Sequence, residues 1–150
     1  LISEGIDCNL IFVGDGEDRQ KILLRVKELG IANNVTITGF LPQTEVAKYI
    51  NAADICLAGS YQEGWSLAMC EIIACGKPLV ATDVSGASAM IREGSNGFIV
   101  KVREPEKYAE AILCALKLPT AGKCSIEISE KYSLKYLARD LGSLWQPLRQ

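Results

Sequence analysis

The sequence predicts an α/β fold: a doubly wound parallel sheet with flanking helices and a helical C-terminal tail. Three observations carry that reading. Short apolar runs of strand length recur between Asn9 and Val100, each closed by Gly-rich or polar residues. Between them lie segments whose apolar residues recur at helical spacing, and strands alternating with helices imply parallel crossovers. Beyond Val102 only the helical pattern continues.

The elements follow in order. Asn9-Leu10-Ile11-Phe12-Val13 is a continuous apolar run ended by Gly14-Asp15-Gly16, which reads as a strand buried on both faces. Glu17 to Leu29 places Ile22, Leu23, Val26 and Leu29 on one helical face, and Gly30 serves as its stop. Val35 to Thr38 is the next strand, Gly39-Phe40-Leu41-Pro42 a loop, and Thr44 to Ala53 a short helix. Ile55 to Ala58 and Leu79 to Thr82 are further strands, with a helix over Ser66 to Cys75 between them. A loop and short helix run through Arg92, and Gly97 to Val100 closes the series.

In the tail, Pro105 suits a first helical turn, with Tyr108, Ala111, Ile112 and Ala115 on one face. Tyr136, Leu137, Leu141, Leu144 and Trp145 form a second apolar stripe, expected to pack in the core. Lys117 to Ser125 is the one loose stretch, and the helical pattern is expected to reach the end of the chain.

Composition excludes several classes of function. At 150 residues the chain is one domain in size, able to bury roughly two thirds of its unfolded surface. With 49% hydrophobic and 23% charged residues it is an ordinary globular protein, not a disordered one. A net charge of −2 without a dense Lys/Arg cluster gives no footprint for nucleic acid. No apolar run reaches the roughly 18 residues of a membrane span, so the expected location is cytoplasmic, with at most a peripheral contact at the inner face of a membrane. The six cysteines form no C-x-x-C pair and the chain has no His, so a zinc site is not expected; the thiols read as reduced, buried packing residues. The missing His also removes Ser-His and Cys-His catalytic pairs.

In an open α/β sheet, ligands bind beyond the carboxyl ends of the strands, so the loops after each strand carry the information. Three stand out: Gly14-Asp15-Gly16, Gly39-Phe40-Leu41, and Ser60 to Leu67. The third enters a helix whose free N–H groups and dipole suit a diphosphate. Gly64 would let a phosphate approach the backbone, while Ser66 is equally readable as a plain N-cap. Glu71 is the one charged residue of Leu67 to Cys75, and buried alone it would be costly. Helical side chains lean toward the N-terminus, so Glu71 is expected to face the same crevice, where its oxygens can accept from a vicinal diol such as a ribose. Solvent exposure is its plain alternative. Glu63, in the loop, is placed to reach a neighbouring part of the same ligand, or is an ordinary loop residue.

Glu63-Gly64-Trp65-Ser66-Leu67-Ala68-Met69-Cys70-Glu71, followed by Ala74-Cys75-Gly76-Lys77-Pro78-Leu79-Val80-Ala81-Thr82, resembles the Glu-x7-Glu signature of retaining GT-B glycosyltransferases, the glycosyltransferase family 4 or glycosyl transferases group 1 proteins. Val13-Gly14-Asp15-Gly16, Val35 to Phe40, Asn51-Ala52-Ala53-Asp54 and Asn96 to Val100 match in the same order. The resemblance implies a Rossmann-like domain, residues 1–150, truncated at its N-terminus, with the N-terminal acceptor domain absent. It implies transfer of a sugar, hexosyltransferase type, from a nucleotide diphosphate sugar to an acceptor hydroxyl with retention, in glycan, polysaccharide or glycolipid synthesis.

By the same resemblance Glu71 would hold the ribose hydroxyls, and Ser66 and Leu67 would offer backbone N–H groups to the diphosphate. Glu63 would contact the transferred sugar and is the catalytic candidate, and Phe40 and Leu41 would flank the base. Gly14, Gly16, Gly64 and Trp65 complete the implied donor-binding set. No cofactor and no metal are expected, and the two glutamates do not imply the double displacement of retaining glycosidases. A glycan or lipid-linked acceptor would be held by the missing domain.

The departures are specific. Ser66 stands where the family places a second Gly, and Gly86-Ala87-Ser88-Ala89-Met90 where it places Gly-Gly and a downstream Glu. The family's diphosphate-neutralising Arg and Lys would lie before Leu1, so the chain alone is expected to be inactive. The stripe ending in Trp145 is an alternative contact for the missing half, left exposed or dimerised here. Three rival readings remain. Gly14-x-Gly16 after a strand suggests nicotinamide binding, but Arg19 replaces the third small residue and Asp15, Glu17 and Asp18 would repel a pyrophosphate. A GT-B epimerase or phosphorylase is the nearer enzyme, and a non-catalytic nucleotide-sugar-binding or assembly module the alternative of another class.

Overall fold

A computed structural model describes residues 1–145 of the chain, so any helical tail beyond 145 lies outside the described residues. Five strands pair in parallel and are flanked by seven α-helices among those residues. The α/β class is as the sequence predicts, with the ladder divided into a two-stranded sheet, β1-β2, and a three-stranded sheet, β3-β4-β5. The described residues correspondingly form two compact units that divide between Tyr49 and Ile50.

In the first unit β1 (Leu10–Phe12) lies beside β2 (Val35–Ile37), with Leu10 opposite Val35 and Phe12 opposite Ile37. The connecting helix α1 (Arg19–Glu28) starts where the acidic loop ends and stops before Gly30. The expectation that the first strand is buried on both faces is corrected: Leu10, Ile11 and Phe12 are 37–46% exposed. An uninterrupted apolar run predicts burial only where neighbours cover both faces. Here β1 has a single ladder partner, and Val26 is the one buried residue of α1. The boundary between units falls within α2 (Gln43–Ala52).

The second unit holds the core. β4 (Leu79–Thr82) runs between β3 (Cys56–Ala58) and β5 (Gly97–Val100), and all four of its residues are buried. Successive strand side chains point to opposite faces, so both faces of β4 are covered. Val80 packs with Val100 and Ala115 beneath Tyr108 and Ile112 of α5 (Pro105–Ala115). The helices α3 (Leu67–Ala74) and α4 (Ala87–Met90) bury Met69, Ile73 and Met90 completely. Gly97 is dictated by packing, because a Cβ there would lie 1.7 Å from the Leu79 carbonyl oxygen.

Three further expectations are corrected by the structure. The supposedly loose stretch from Lys117 to Ser125 contains the first half of α6 (Ala121–Glu130), with Ala121, Cys124, Ser125 and Ile128 buried. Its small residues serve close packing: a Cβ at Gly122 would stand 2.8 Å from the Gly76 carbonyl oxygen. Fully buried Asn96 ties the region together. It donates to the Met90 carbonyl at 3.0 Å and to Ser125 Oγ at 3.2 Å, and accepts from the Arg92 N–H at 2.7 Å. Ser125 donates onward to the Lys77 carbonyl at 2.8 Å. Buried polar groups need such partners, and among the described residues no buried side-chain nitrogen or oxygen is left unpaired.

The stripe Tyr136, Leu137, Leu141, Leu144, Trp145 lies on α7 (Leu134–Trp145), which buries no residue; Leu144 is 70% exposed. An amphipathic pattern fixes which face is apolar, not that something covers it. The cysteines are free, but Cys124 alone is buried; Cys8, Cys56, Cys70 and Cys75 are half-buried and Cys114 is exposed. Placement at element ends, rather than in element centres, accounts for Cys56 at the start of β3 and Cys75 after α3.

Candidate functional site

The loop from β3 into α3 is held at several points. Thr82, the buried last residue of β4, donates through Oγ1 to the Ser60 carbonyl at 2.6 Å. Ser60 Oγ in turn donates to Glu63 Oε1 at 2.9 Å and so sets the carboxylate beyond the strand ends. Arg103, three residues after β5, donates through Nη2 to the Tyr61 carbonyl at 2.8 Å and lies 4.3 Å from the centre of the Tyr61 ring. Further on, the Trp65 ring meets Tyr132 edge to face at 5.1 Å, and the Tyr132 hydroxyl donates to the Ala89 carbonyl at 3.0 Å. Trp65 also sits over Gly86, where a Cβ would come within 3.2 Å of its ring and φ is +83°. The small residue the sequence keeps at 86 therefore makes room for Trp65.

Ser66 is the N-cap of α3: its Oγ accepts from the Met69 N–H at 3.4 Å. One of the two readings of Ser66 is thereby realised, and it leaves the other compatible. A capped helix still presents its first N–H groups without intrahelical acceptors, here those of Leu67 and Ala68, at the positive end of the helix dipole. Ser66 has ordinary extended backbone (φ −84°, ψ 110°), so a side chain at this position does not strain the loop. A Cβ at Gly64 would meet nothing within 4 Å, so any demand for glycine there comes from a group approaching from outside.

α3 buries the face carrying Met69, Ile72 and Ile73. Glu71 lies away from that face, in line with exposed Leu67 one turn earlier, about 6 Å along the axis, and is half-buried. The structure thus brings Glu63, Gly64, Trp65, Ser66, Leu67 and Glu71 onto one loop and helix start.

The other candidates belong to the first unit. Gly14 and Gly39 form an isolated bridge, and the Gly14 N–H is accepted by Thr38 Oγ1 at 3.3 Å. The Gly16 N–H goes to Asp15 Oδ1 at 2.9 Å, and Asp15 pairs with Arg19 at 3.4 Å. Beside them Phe40 is 87% exposed and Leu41 half-buried.

Thr82, Arg103 and Tyr132, which hold the loop, were not among the expected residues. The polar end of an apolar strand could have flagged Thr82. Nothing local marks Arg103, which lies 42 positions from Tyr61. A hollow of about 450 Å³ lies elsewhere, between β5 and α5, lined by Phe98, Lys101, Lys107 and Cys114 among others. Among the described residues no group of His, Cys, Asp and Glu is arranged to hold a metal, and no helix is long and apolar enough to cross a membrane.

Comparison with known proteins bears on this geometry. A family model described as "Glycosyl transferases group 1" matches residues 1–135. Similar curated proteins include the N-acetyl-alpha-D-glucosaminyl L-malate synthase of Bacillus anthracis, 33% identical over 75% of this chain and 29% of that protein. The alpha-D-kanosaminyltransferase of Streptomyces kanamyceticus is 26% identical over 99% of this chain and 40% of its own length. Among solved structures, the sucrose-phosphate synthase of Thermosynechococcus elongatus superposes with a TM-score of 0.76 at 28% identity, covering 93% of this chain and 37% of that one. Anabaena Alr3699/HepE, solved with UDP-glucose, gives 0.76 at 25% identity over 90% of this chain and 41% of that one. The chain therefore spans well under half the length of these relatives.

Proposed function

The chain belongs to the glycosyl transferases group 1 family, and we propose from that premise that it is the donor-binding half of a retaining glycosyltransferase. The observation that carries the reading is the capped start of α3, fed by a loop that fixes Glu63 and followed one turn later by Glu71. A relative of this fold has been solved with UDP-glucose, which supports a nucleotide diphosphate sugar as donor.

In the proposed complex the N–H groups of Ser66 and Leu67 meet the diphosphate, where the helix dipole favours negative charge. Glu71 accepts hydrogen bonds from the ribose hydroxyls. Glu63, oriented by Ser60, contacts the transferred sugar, with Gly64 and Trp65 lining the approach. In the reaction the bond from the anomeric carbon to the diphosphate breaks and a bond to an acceptor hydroxyl oxygen forms on the same face of the sugar. The nucleoside diphosphate leaves with the electron pair and takes up the proton released by the acceptor hydroxyl. Its developing charge is met by helix N–H groups, so the reading needs no metal.

The acceptor is a growing glycan, polysaccharide or glycolipid, held by a part of the protein that this chain does not contain. The free thiols suit a reducing compartment, which supports a cytoplasmic reaction, with lipid-linked acceptors met at the inner face of a membrane. Calorimetric titration of the chain with UDP, GDP and ADP and their sugars tests the donor site, with Glu71→Ala beside it. Saturable binding of one nucleotide, weakened by about 1–3 kcal/mol in Glu71→Ala as for lost hydrogen bonds to a charged group, is expected. Binding that ignores the substitution, or none at millimolar ligand, would overturn the assignment.

A further inference from the structure

We propose that Arg103 is a positioning residue for the sugar-contacting Glu63, acting through a clamp on Tyr61; the inference rests on the donor-site reading above. Arg103 follows β5 and reaches over the end of β4 to the loop that leaves β3. Its guanidinium does two things at once. Nη2 donates to the Tyr61 carbonyl at 2.8 Å, and the planar group stacks 4.3 Å from the centre of the Tyr61 ring.

The peptide after Tyr61 leads directly into Gln62 and Glu63. Its upstream neighbour, the Ser60 carbonyl, is held at 2.6 Å by Thr82, and the Ser60 hydroxyl holds Glu63 at 2.9 Å. Thr82 and Arg103 therefore fix two consecutive carbonyls of the loop, from the ends of β4 and β5 respectively. With both held, the Ser60 hydroxyl and the Glu63 carboxylate share one geometry. With Arg103 gone, the loop keeps only its upstream anchor and the Trp65 contact, and the intervening segment is free to rotate.

The clamp is on the surface. Tyr61 is 86% exposed and Arg103 is exposed as well, so the pair adds little to the stability of the core. A lysine cannot replace it, because a point ammonium lacks the planar fork that stacks and donates together. The consequence for the ligand is selective: the sugar, contacted by Glu63, depends on the clamp, and the nucleotide, held by α3, does not.

The test compares the 150-residue chain with its Arg103→Ala, Arg103→Lys and Tyr61→Ala variants. UDP-glucose, GDP-mannose and ADP-glucose are titrated beside UDP, GDP and ADP, and amide exchange is followed at Gln62, Glu63 and Gly64. In Arg103→Ala those three amides are expected to exchange about five-fold faster while β4 is unmoved, the mark of local loosening. The sugar nucleotide is expected to bind about two- to five-fold more weakly, as for loss of an exposed stacking contact with one hydrogen bond, and the bare nucleotide unchanged. Tyr61→Ala reproduces the effect, the double variant adds nothing to it, and Arg103→Lys recovers only part.

Equal weakening of nucleotide and sugar nucleotide, fully restored by lysine, would make Arg103 a plain charge and overturn the inference. Unchanged exchange at the three amides would overturn it too. Absence of all binding by the unsubstituted chain would instead overturn the donor-site reading itself, and with it any role for Arg103 toward a sugar.

Discussion

Ser66 shows how one side chain can serve the fold and leave a site open. Its Oγ takes the Met69 N–H, while the N–H groups ahead of it in the helix have no intrahelical acceptor. The cap predicts a measurable asymmetry. Ser66→Ala should destabilise the chain by about 1 kcal/mol in thermal or urea unfolding, and Ser66→Gly by only a few tenths. No loss in Ser66→Ala would mean the cap contributes nothing. At this scale the sequence was informative where chemistry is local. Glu71 on an otherwise apolar helix and Ser66 ahead of it can be read from spacing alone. Arg103, Tyr132 and Asn96 could not, because their partners Tyr61, Trp65 and Met90 are set by the crossing of strands and helices.

The elements were legible to within a residue or two at their ends, most sharply β4 and β5, whose bounds match the apolar runs Leu79–Thr82 and Gly97–Val100. Those runs end in chemistry as well as in pattern, at Thr82 and at Gly97 beside Leu79. The first half of α6 is not legible because Gly122 and Ser125 lower helical propensity, and the close approach to Gly76 that rewards Gly122 is a tertiary fact. The packing of α5 on β4 carries its own pH signature. The Tyr108 hydroxyl donates to the Val80 carbonyl at 3.0 Å, and burial pushes its pKa up to about 12 despite an opposing backbone hydrogen bond at Ala58. Burial also raises the Cys56 thiol to about 11, against a smaller lowering by Lys77. Both groups hold their protons more tightly folded than unfolded. Their stabilisation is complete below the unfolded values and is lost as pH rises from about 9 to about 12. Urea unfolding across that range should show falling stability, with a shallower fall in Tyr108→Phe, and a stability loss of about 1 kcal/mol at neutral pH from the missing hydrogen bond. An alkaline limb identical in the two proteins would refute the assignment to Tyr108.

Across the molecule, the fold class and the family agree from independent directions: strand and helix periodicity, parallel pairing, and a family match over residues 1–135. Burial was less legible than order. The apolar run of β1 and the stripe of α7 both looked like core, yet both are exposed, because a pattern states which surface is apolar and the neighbouring elements decide whether it is covered. The same limit applies to function, since the relatives extend well beyond the matched region. What this chain can answer for itself is where a nucleotide settles. Amide chemical shifts of the labelled chain, followed as UDP, GDP or ADP is added, map that over every described residue. The account predicts that the largest changes fall at Gly64, Trp65, Ser66, Leu67 and Ala68, and that Glu71→Ala diminishes them at equal ligand. Changes centred instead on the hollow between β5 and α5, with the start of α3 silent, would contradict it.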